Sequence, residues 1–210
     1  MSGLSSNRIL KIYKSRNTIL QLLEKQNYDV SDYEDFSINE IDAMYSNNQL
    51  DMLLKAEESD KKIYIKYYLN SKNIRKENLE TLVEDLFQIE SILTKTDTLI
   101  IIINEEPNDT ILERIKYLYD HDGIFIVLHN IERLQFNILE HHLVPYIRIL
   151  NDTEVDDLKK KYNLKDTMQL PEISRFDPQA LAICLRPGEV CSLERKSNTA
   201  MLSRYYRVCV

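Results

Sequence analysis

The histidines and cysteines are the residues best able to bind a metal or to act as nucleophiles. The four histidines stand at positions 121, 129, 141 and 142 and form no HExxH motif. The three cysteines, Cys184, Cys191 and Cys209, lack the CxxC spacing of a zinc site. Their odd number, with no signal peptide before them, is typical of reduced and partly buried thiols in an intracellular protein. We therefore expect no metal and no cofactor.

The glycine content excludes several enzyme classes. There are three glycines, at positions 3, 123 and 188, where average usage would be about 7% of residues. A Walker A loop, a dinucleotide fingerprint and a nucleophile elbow each need closely spaced glycines. Classical nucleotide-binding and α/β-hydrolase functions are therefore excluded, and we expect no small-molecule substrate.

The hydrophobic patterns of residues 1–135 predict an α/β domain. Helical periodicity and a capping box predict helices at about 6–25, from 37–40 onward, at 77–93 and at 108–119. Alternating or β-branched runs predict strands at 50–55, 63–69, 98–103 and 124–128. The first two strands are expected to form a hairpin, and the last two a parallel βαβ unit with a right-handed crossover.

A different pattern begins near Phe136 and predicts a small α+β domain over residues 136–210. Its expected elements are a helix at 153–161 capped by Asp152, a short helix at Asp177-Pro178, a type II turn at 186–189, and strands at 190–195 and 204–210. Residues 1–137 carry 16 basic and 24 acidic side chains, a net charge of −8, whereas the rest carry +1. Residues 186–210 hold five basic and two acidic side chains, and this mildly basic strand pair is too weak a signal for autonomous nucleic-acid binding.

The sequence carries no sign of a membrane segment. Its longest strongly apolar run, Leu99–Ile103, is far shorter than the ~20 residues of a membrane-spanning helix. The acid-poor N-terminus could be a mitochondrial presequence, but its apolar positions fit one face of a core-packing helix. We expect a protein that is neither secreted nor bound to a membrane.

The nine residues Asn137–Pro145 resemble the N-I-x-x-H-x-L-V-P signature of the fifth-largest subunit shared by the eukaryotic RNA polymerases and of its archaeal counterpart. Further motifs of that family follow in order, at Leu170–Ile173, Asp177–Ala180, Arg186–Val190, Arg195–Ala200 and Tyr206–Val208. Two weaker likenesses, at Ser15–Thr18 and Asn27–Val30, extend the resemblance to the N-terminal half.

This resemblance implies a non-catalytic subunit of a multisubunit DNA-dependent RNA polymerase. The C-terminal assembly domain would dock on the largest subunit and contact other subunits. The N-terminal jaw domain, similar in fold to restriction-endonuclease-like domains, would lie near downstream DNA and meet it only within the complex. The protein would be nuclear if cellular, and in the host cytoplasm or the virion if viral.

Three departures from the family pattern suggest a divergent member. Ile147 stands where the family has a second histidine, and Cys184 and Met201 stand where it has glycines. Because glycine often serves positive φ or close backbone approach, Met201 makes the shape of the 197–203 loop uncertain. A large DNA virus that encodes its own polymerase is a reasonable source.

The expected partner-binding residues lie in the matching motifs. They are His141, Pro145, Asp177, Pro178, Arg186, Pro187, Gly188, Arg195, Ser197, Thr199, Arg204, Tyr206 and Arg207. The turn at 186–189 and the loop at 197–200 are expected at one end of the domain, and the edge of strand 204–210 is expected to pair with another chain. For the arginines a solvated strand face is the alternative, and for His141 a structural hydrogen bond.

Two other functions stay open at this point. Asp60-Lys61-Lys62 has the D-x-K spacing of restriction-type nucleases, with Asp51 upstream, so that Asp51, Asp60 and Lys62 could serve Mg²⁺-dependent cleavage. Their place between two predicted strands favours a solvated hairpin tip instead. The second alternative is a stand-alone transcription regulator that uses the same fold without joining a polymerase.

Overall fold

The computed structural model describes residues 2–57, 59–69, 71 and 74–210. The chain divides into two compact units, one ending at Phe136 and the other running from Asn137 to Val210. Each unit contains its own β-sheet, so the protein is a mixed α/β protein with two sheets. Among the helices of the described residues, none combines the length and the apolar character that a membrane crossing requires.

The N-terminal unit is built on a mixed five-stranded sheet. Its helices are α1 (Ser2–Glu24), α2 (Ile38–Ser46), α3 (Lys76–Glu84) and α4 (Asp109–Tyr117). Its strands are β1 (Tyr28–Asp29), β2 (Met52–Ala56), β3 (Lys62–Tyr68), β4 (Thr98–Ile103) and β5 (Phe125–Asn130). The sheet follows the order β1-β2-β3-β4-β5, with antiparallel pairing up to β3 and parallel pairing from β3 to β5.

The centre of this sheet is the core of the unit. All residues of β4 and β5 are buried, because strands covered on both faces need apolar side chains on both. In β3 only alternate residues, such as Ile63 and Ile65, are buried. The predicted hairpin, the predicted βαβ order and the Ser37–Glu40 capping box are confirmed.

Two helices end earlier than their apolar spacing predicts. The predicted helix at 77–93 stops at Glu84 and widens into a π-helical turn, Asp85–Ile89. Helix α4 likewise continues into a π turn, Leu118–Asp122, which ends at Gly123 with φ of 72°. A π turn adds a residue per turn, so it shifts the apolar phase: Leu86 is buried while Ile89 is 74% exposed.

The C-terminal unit is built on a four-stranded sheet. Its strands are β6 (Tyr146–Ile149), β7 (Glu172–Ile173), β8 (Val190–Ser197) and β9 (Met201–Cys209), in the order β6-β8-β9-β7. Strand β8 pairs antiparallel with β6 and β9, whereas β7 runs parallel to β9. The longer helices are α5 (Asp152–Tyr162) and α6 (Pro178–Ala182).

Each face of this sheet has its own small core. One core includes Ala180 and Leu185 against Cys191 and Cys209, and the other places Leu158 of α5 against Val190 and Val208. The predicted cap of α5 is wrong by one residue. Asn151, not Asp152, is the N-cap: its side chain accepts from the backbone N–H of Glu154, whose carboxylate accepts from the N–H of Asn151.

Candidate subunit interface

The β8–β9 hairpin determines where most of the predicted interface residues lie. Strand β8 runs from Val190 to Ser197. Because a strand rises about 3.3 Å per residue, the turn before β8 and the loop after it are about 25 Å apart. The expectation that the turn at 186–189 and the loop at 197–200 lie at one end of the domain is therefore wrong. The predicted residues form two groups, one at each end of the hairpin.

The turn at the first end has the predicted type II geometry. The N–H of Glu189 donates to the carbonyl of Arg186 at 3.0 Å, and Gly188 has a φ of 88°. This φ belongs to the third position of a type II turn, which favours glycine. The N–H of Gly188 donates to the carbonyl of Cys209 at 2.9 Å, so the turn, which also contains Pro187, is fastened to the end of β9.

The side chains near helix α6 act in local structure. Asp177 is the N-cap of α6, where its Oδ1 accepts from the N–H of Gln179 at 2.9 Å, and Pro178 follows at the first helical position. The amide of Gln179 donates to the carbonyl of Pro145 at 3.2 Å. The Nδ1 of His141 accepts from the N–H of Leu143 at 3.3 Å, which is a structural hydrogen bond.

The loop at the second end is held by one hydroxyl. Ser197 Oγ accepts from the N–H groups of Thr199 and Ala200, each at 3.4 Å, and lies 3.3 Å from the hydroxyl of Thr199. Ser197 pairs with Met201 across the hairpin. The two predicted polar residues thus shape the loop and leave most of its surface exposed.

The three predicted arginines in the hairpin strands, Arg195, Arg204 and Arg207, do not share one face, because side chains alternate along a strand. Arg204 pairs with Glu194 at 2.5 Å on the face that carries Tyr206. On the other face, Arg195 stacks on the ring of Tyr205 at 5.4 Å. Arg207, also on that face, donates to the carbonyl of Glu172 at 2.7 Å and so ties β9 to β7.

The expected free edge of the last strand needs a correction. Strand β7 covers the end of β9, where Glu172 pairs with Val208 and Ile173 with Cys209. The uncovered part is the earlier stretch Leu202–Tyr206, beside which the described residues place no strand on that side. The edge that another chain could join is therefore the middle of β9 and not its end.

Both positions where the family has glycine, Cys184 and Met201, adopt the left-handed backbone conformation, as does Asn27. The φ values are 63° at Asn27, 51° at Cys184 and 56° at Met201. Asparagine tolerates this region, whereas a cysteine or methionine there is strained. The loop at 197–203 therefore keeps a conformation that suits glycine although its residue is Met201.

The three cysteines are free thiols, and Cys191 and Cys209 are buried. Burial raises the pKa of Cys191 to about 11 and that of Cys209 to about 12. A raised pKa keeps a thiol protonated and unreactive at neutral pH. Within the described part of the chain, no group of three or more histidine, cysteine, aspartate or glutamate side chains is arranged to hold a metal ion.

The three residues of the nuclease alternative do not meet. In the β2–β3 hairpin, Lys55 pairs with Lys62 and Met52 with Ile65, so Asp51 lies at the opposite end from Asp60 and Lys62, roughly 14 Å away at strand rise. The backbone N–H of Lys62 donates to Asp97, and Asp60 is exposed.

Sequence reasoning missed the partners that Asp51 does have. Its carboxylate contacts the ammonium group of Lys66 at 2.5 Å and the hydroxyl of Tyr64 at 3.2 Å, and it accepts from the N–H of Tyr67 at 3.3 Å. The alternation of β3 was a signal for this cluster, because it places Tyr64 and Lys66 on the same side of the strand.

The weaker N-terminal likeness corresponds to buried polar residues. Ser15, Arg16 and Thr18 are almost fully buried. The guanidinium group of Arg16 donates to the carbonyl of Leu50 at 3.3 Å and faces the rings of Tyr33 and Phe36. Burial lowers the pKa of Arg16. This motif serves the interior of the N-terminal unit.

Comparison with known proteins assigns the family. A family model described as "RNA polymerase Rpb5, C-terminal domain" matches residues 136–209. The DNA-directed RNA polymerase subunit Rpo5 of Thermococcus kodakarensis is 45% identical over 76 residues, which cover 36% of this chain and 92% of that protein. The chain belongs to the Rpb5/Rpo5 family of RNA polymerase subunits. Members are non-catalytic subunits of DNA-directed RNA polymerase, and neither the nuclease nor the stand-alone regulator is favoured.

The likeness to other members of the Rpb5/Rpo5 family differs in identity and in the share of this chain that is covered. Rpo5 of Methanococcoides burtonii is 36% identical over 76 residues, covering 36% of this chain and 96% of that protein. Subunit 5B of RNA polymerases IV and V of Arabidopsis thaliana is 26% identical over 212 residues, covering 98% of this chain and 92% of that protein. Because the family consists of RNA polymerase subunits, other polymerase subunits are the expected partners. The viral source stays a prediction.

Proposed function

We propose that this member of the Rpb5/Rpo5 family is attached to the polymerase through its C-terminal unit, which docks on the largest subunit. The observation that carries this proposal is the match of residues 136–209 to the family model. The archaeal Rpo5 proteins match over 76 residues that make up 92% of the T. kodakarensis protein. A polymerase subunit of that size has little besides this domain with which to bind its neighbours.

The proposed contact surface consists of the two groups of residues at the ends of the β8–β9 hairpin. The group at the first end contains Asp177, Pro178 and the turn at 186–189. Pro145 comes directly before β6, whose first residue pairs with Glu194, so Pro145 and the preceding His141 belong toward the second end. The group at the second end contains Arg195, Ser197, Thr199 and Arg204, with Tyr206 and Arg207 between the two ends. Residues 186–210 hold five basic and two acidic side chains, and arginine and tyrosine are enriched in protein interfaces.

For the N-terminal unit we propose the role of a jaw domain near downstream DNA. Its mixed sheet with three parallel strands and flanking helices is compatible with a restriction-endonuclease-like fold. Residues 1–137 carry a net charge of −8, which opposes binding to phosphates. The unit is therefore expected to meet DNA only when the rest of the polymerase holds it there.

Affinity purification of the tagged full chain under stringent salt tests this function. We expect both large polymerase subunits to co-elute, and cross-linking followed by mass spectrometry to join the C-terminal unit to the largest one. Recovery of the chain without polymerase subunits would contradict the proposal. Cross-links confined to other subunits would contradict the docking site on the largest subunit while leaving the polymerase role intact.

A pair of variants separates an interface contact from a general loss of charge. Arg207→Ala should weaken assembly by about 1–2 kcal/mol if Arg207 contacts a partner. Lys55→Ala, on an exposed position of β2, should have no effect. Competition against the wild-type chain during reconstitution measures both, and thermal unfolding shows whether either variant has lost its fold. Equal incorporation of the two variants would remove Arg207 from the interface.

A further inference from the structure

The middle of strand β9 has unused hydrogen-bonding capacity. The N–H of Cys209 points to the β8 side and donates to the backbone carbonyl of Glu189. The N–H of Val208 points the other way and donates to the backbone carbonyl of Pro171. Because backbone groups alternate along a strand, the N–H and C=O groups of Arg204 and Tyr206 point to the same side as those of Val208. Strand β7 pairs only with Val208 and Cys209, so it does not reach them.

A proline explains why β7 goes no further. Glu172 of β7 lies beside Val208 of β9. If this parallel pairing continued toward Tyr206, the N–H of residue 171 would have to donate to the carbonyl of Tyr206. Residue 171 is a proline and has no N–H to give. The intramolecular sheet therefore ends at Val208 for a chemical reason, and the edge of Leu202–Tyr206 is left to solvent or to a partner.

A groove lies over the face of the sheet at this stretch of β9. It has a volume of about 440 Å³ and lies between the end of helix α5 and strand β9, where Lys161 and Tyr162 face Leu202, Arg204 and Tyr206. Leu202 is 63% exposed, and the rings of Tyr162 and Tyr206 meet edge to face at 6.0 Å. A strand added next to β9 would place alternate side chains in this groove.

The charges around the groove favour an acidic occupant. The last turn of α5 carries Lys159, Lys160 and Lys161. In the described part of the chain, Lys161 contacts the ring of Tyr162 and has no carboxylate partner. Glu194, the acidic residue of the groove, is already paired with Arg204. The same cations oppose pairing with a second copy of this chain, because like charges would then face each other.

We propose that an extended acidic segment of another polymerase subunit adds to this sheet as a strand beside Leu202–Tyr206. Its backbone would bond to Arg204 and Tyr206, and its carboxylates would face Lys161 in the groove. Strand addition draws its affinity from main-chain hydrogen bonds and its specificity from pockets for alternate side chains. This inference rests on the proposed polymerase attachment and identifies one contact within it.

Residue-resolved hydrogen exchange on the full chain, free and within the purified polymerase, tests the added strand. In the free chain, the amides of Ser203, Tyr205 and Arg207 point to β8 and should be protected, whereas those of Arg204 and Tyr206 should exchange quickly. In the complex, exchange at Arg204 and Tyr206 should slow by at least about tenfold, on the scale of a newly formed backbone hydrogen bond. Unchanged exchange at these two amides in the complex would overturn the proposal.

A matched pair of charge reversals tests the acidic character of the segment. Lys161→Glu should lower incorporation in competition with the wild-type chain by about fivefold to tenfold. Lys160→Glu makes the same change one residue earlier, at a side chain that is 80% exposed and lies near Asp157. This variant should lower incorporation by less than about twofold. Equal effects of the two variants would overturn the assignment of an acidic occupant.

These results also separate this inference from the proposed function. If the chain enters the polymerase and the amides of Arg204 and Tyr206 stay unprotected, the strand addition is wrong and the attachment stands. If the chain fails to enter the polymerase at all, the proposed function is wrong. Slowed exchange at the two amides, together with a selective effect of Lys161→Glu, supports both.

Discussion

The two sheets of this protein use their strand edges differently. In the N-terminal unit, the parallel strands β3, β4 and β5 pair side by side and every residue of β4 is buried. In the C-terminal unit, strand β9 is exposed along Met201–Tyr205 except for a partly buried Ser203, and its middle has a neighbour on one side. The edge strand β5 of the first sheet is buried along its whole length, whereas the open edge of the second sheet at Leu202–Tyr206 is largely exposed.

The likeness to relatives follows the same division. The archaeal Rpo5 proteins match only 76 residues of this chain, at 36–45% identity in the two compared above, while the full-length plant relative is 26% identical. The family model matches residues 136–209, which include the unit with the open edge.

The largest expected effect is the difference in stability loss between one apolar substitution in each sheet. Ile101→Ala removes a side chain with 0% exposure from β4 and should lower the free energy of unfolding by about 3–4 kcal/mol. Leu202→Ala, at a side chain 63% exposed in β9, should change it by less than about 0.5 kcal/mol. Denaturant unfolding of the full chain measures both. A large loss of stability from Leu202→Ala would contradict the contrast between the sheets.

A smaller loss of stability is expected from removing the Asp51 carboxylate at the end of the β2–β3 hairpin. Asp51→Ala removes the partner of Lys66, Tyr64 and the N–H of Tyr67, and should cost about 2 kcal/mol. Asp60→Ala, at an exposed position, is the matched control and should cost less than about 0.5 kcal/mol. Similar losses from the two variants would show that Asp60 has a structural role that the geometry does not provide.

Much of the fold could be predicted where the signal is local. The β-branched run at 98–103 becomes β4, Ser37–Glu40 forms its capping box, Asp177 caps α6, and Arg186–Glu189 forms its turn. In each of these, a few neighbouring residues determine the backbone conformation, so the pattern needs no information from distant parts of the chain.

Features that depend on register were not predictable from spacing. The separation of Asp51 from Asp60, the meeting of Asp51 with Lys66, and the opposite positions of the two hairpin ends all follow from which residues face each other across strands. The covered end of β9 depends on β7, a strand of two residues that is too short to produce a pattern. The π turns after Glu84 and Tyr117 were missed because their apolar spacing still resembles a helix.

Relief of backbone strain should give a modest gain in stability. Met201 has a φ of 56° and a side chain 85% exposed, so Met201→Gly loses no packing and should stabilise the C-terminal unit by about 0.5–1 kcal/mol. Asn27→Gly in the N-terminal unit should have an effect near zero, because asparagine tolerates this conformation. Thermal unfolding compares them, and a loss of stability from Met201→Gly would show that Met201 makes a contact of its own.

The smallest effect is expected at an exposed carboxylate of the C-terminal unit. Hydrogen bonds from Arg148 and from the N–H of Asn151 lower the pKa of Glu154 from 4.5 to about 2. The stabilisation from Glu154 should therefore be present above about pH 4.5 and be lost as the pH falls toward 2. An NMR titration checks this value, and Arg148→Ala should raise the pKa of Glu154. A pKa near 4.5 in the unmodified chain would show that the two residues are not paired in solution.

The most direct test of the account is whether the C-terminal unit alone enters the polymerase. Residues 137–210 and residues 1–136, each shown to be folded by NMR, would compete separately with the full chain during reconstitution. The account predicts that residues 137–210 displace the full chain and that residues 1–136 do not, because the open strand edge and the matching motifs lie in the second unit. Incorporation of residues 1–136 alone, or exclusion of folded residues 137–210, would contradict it.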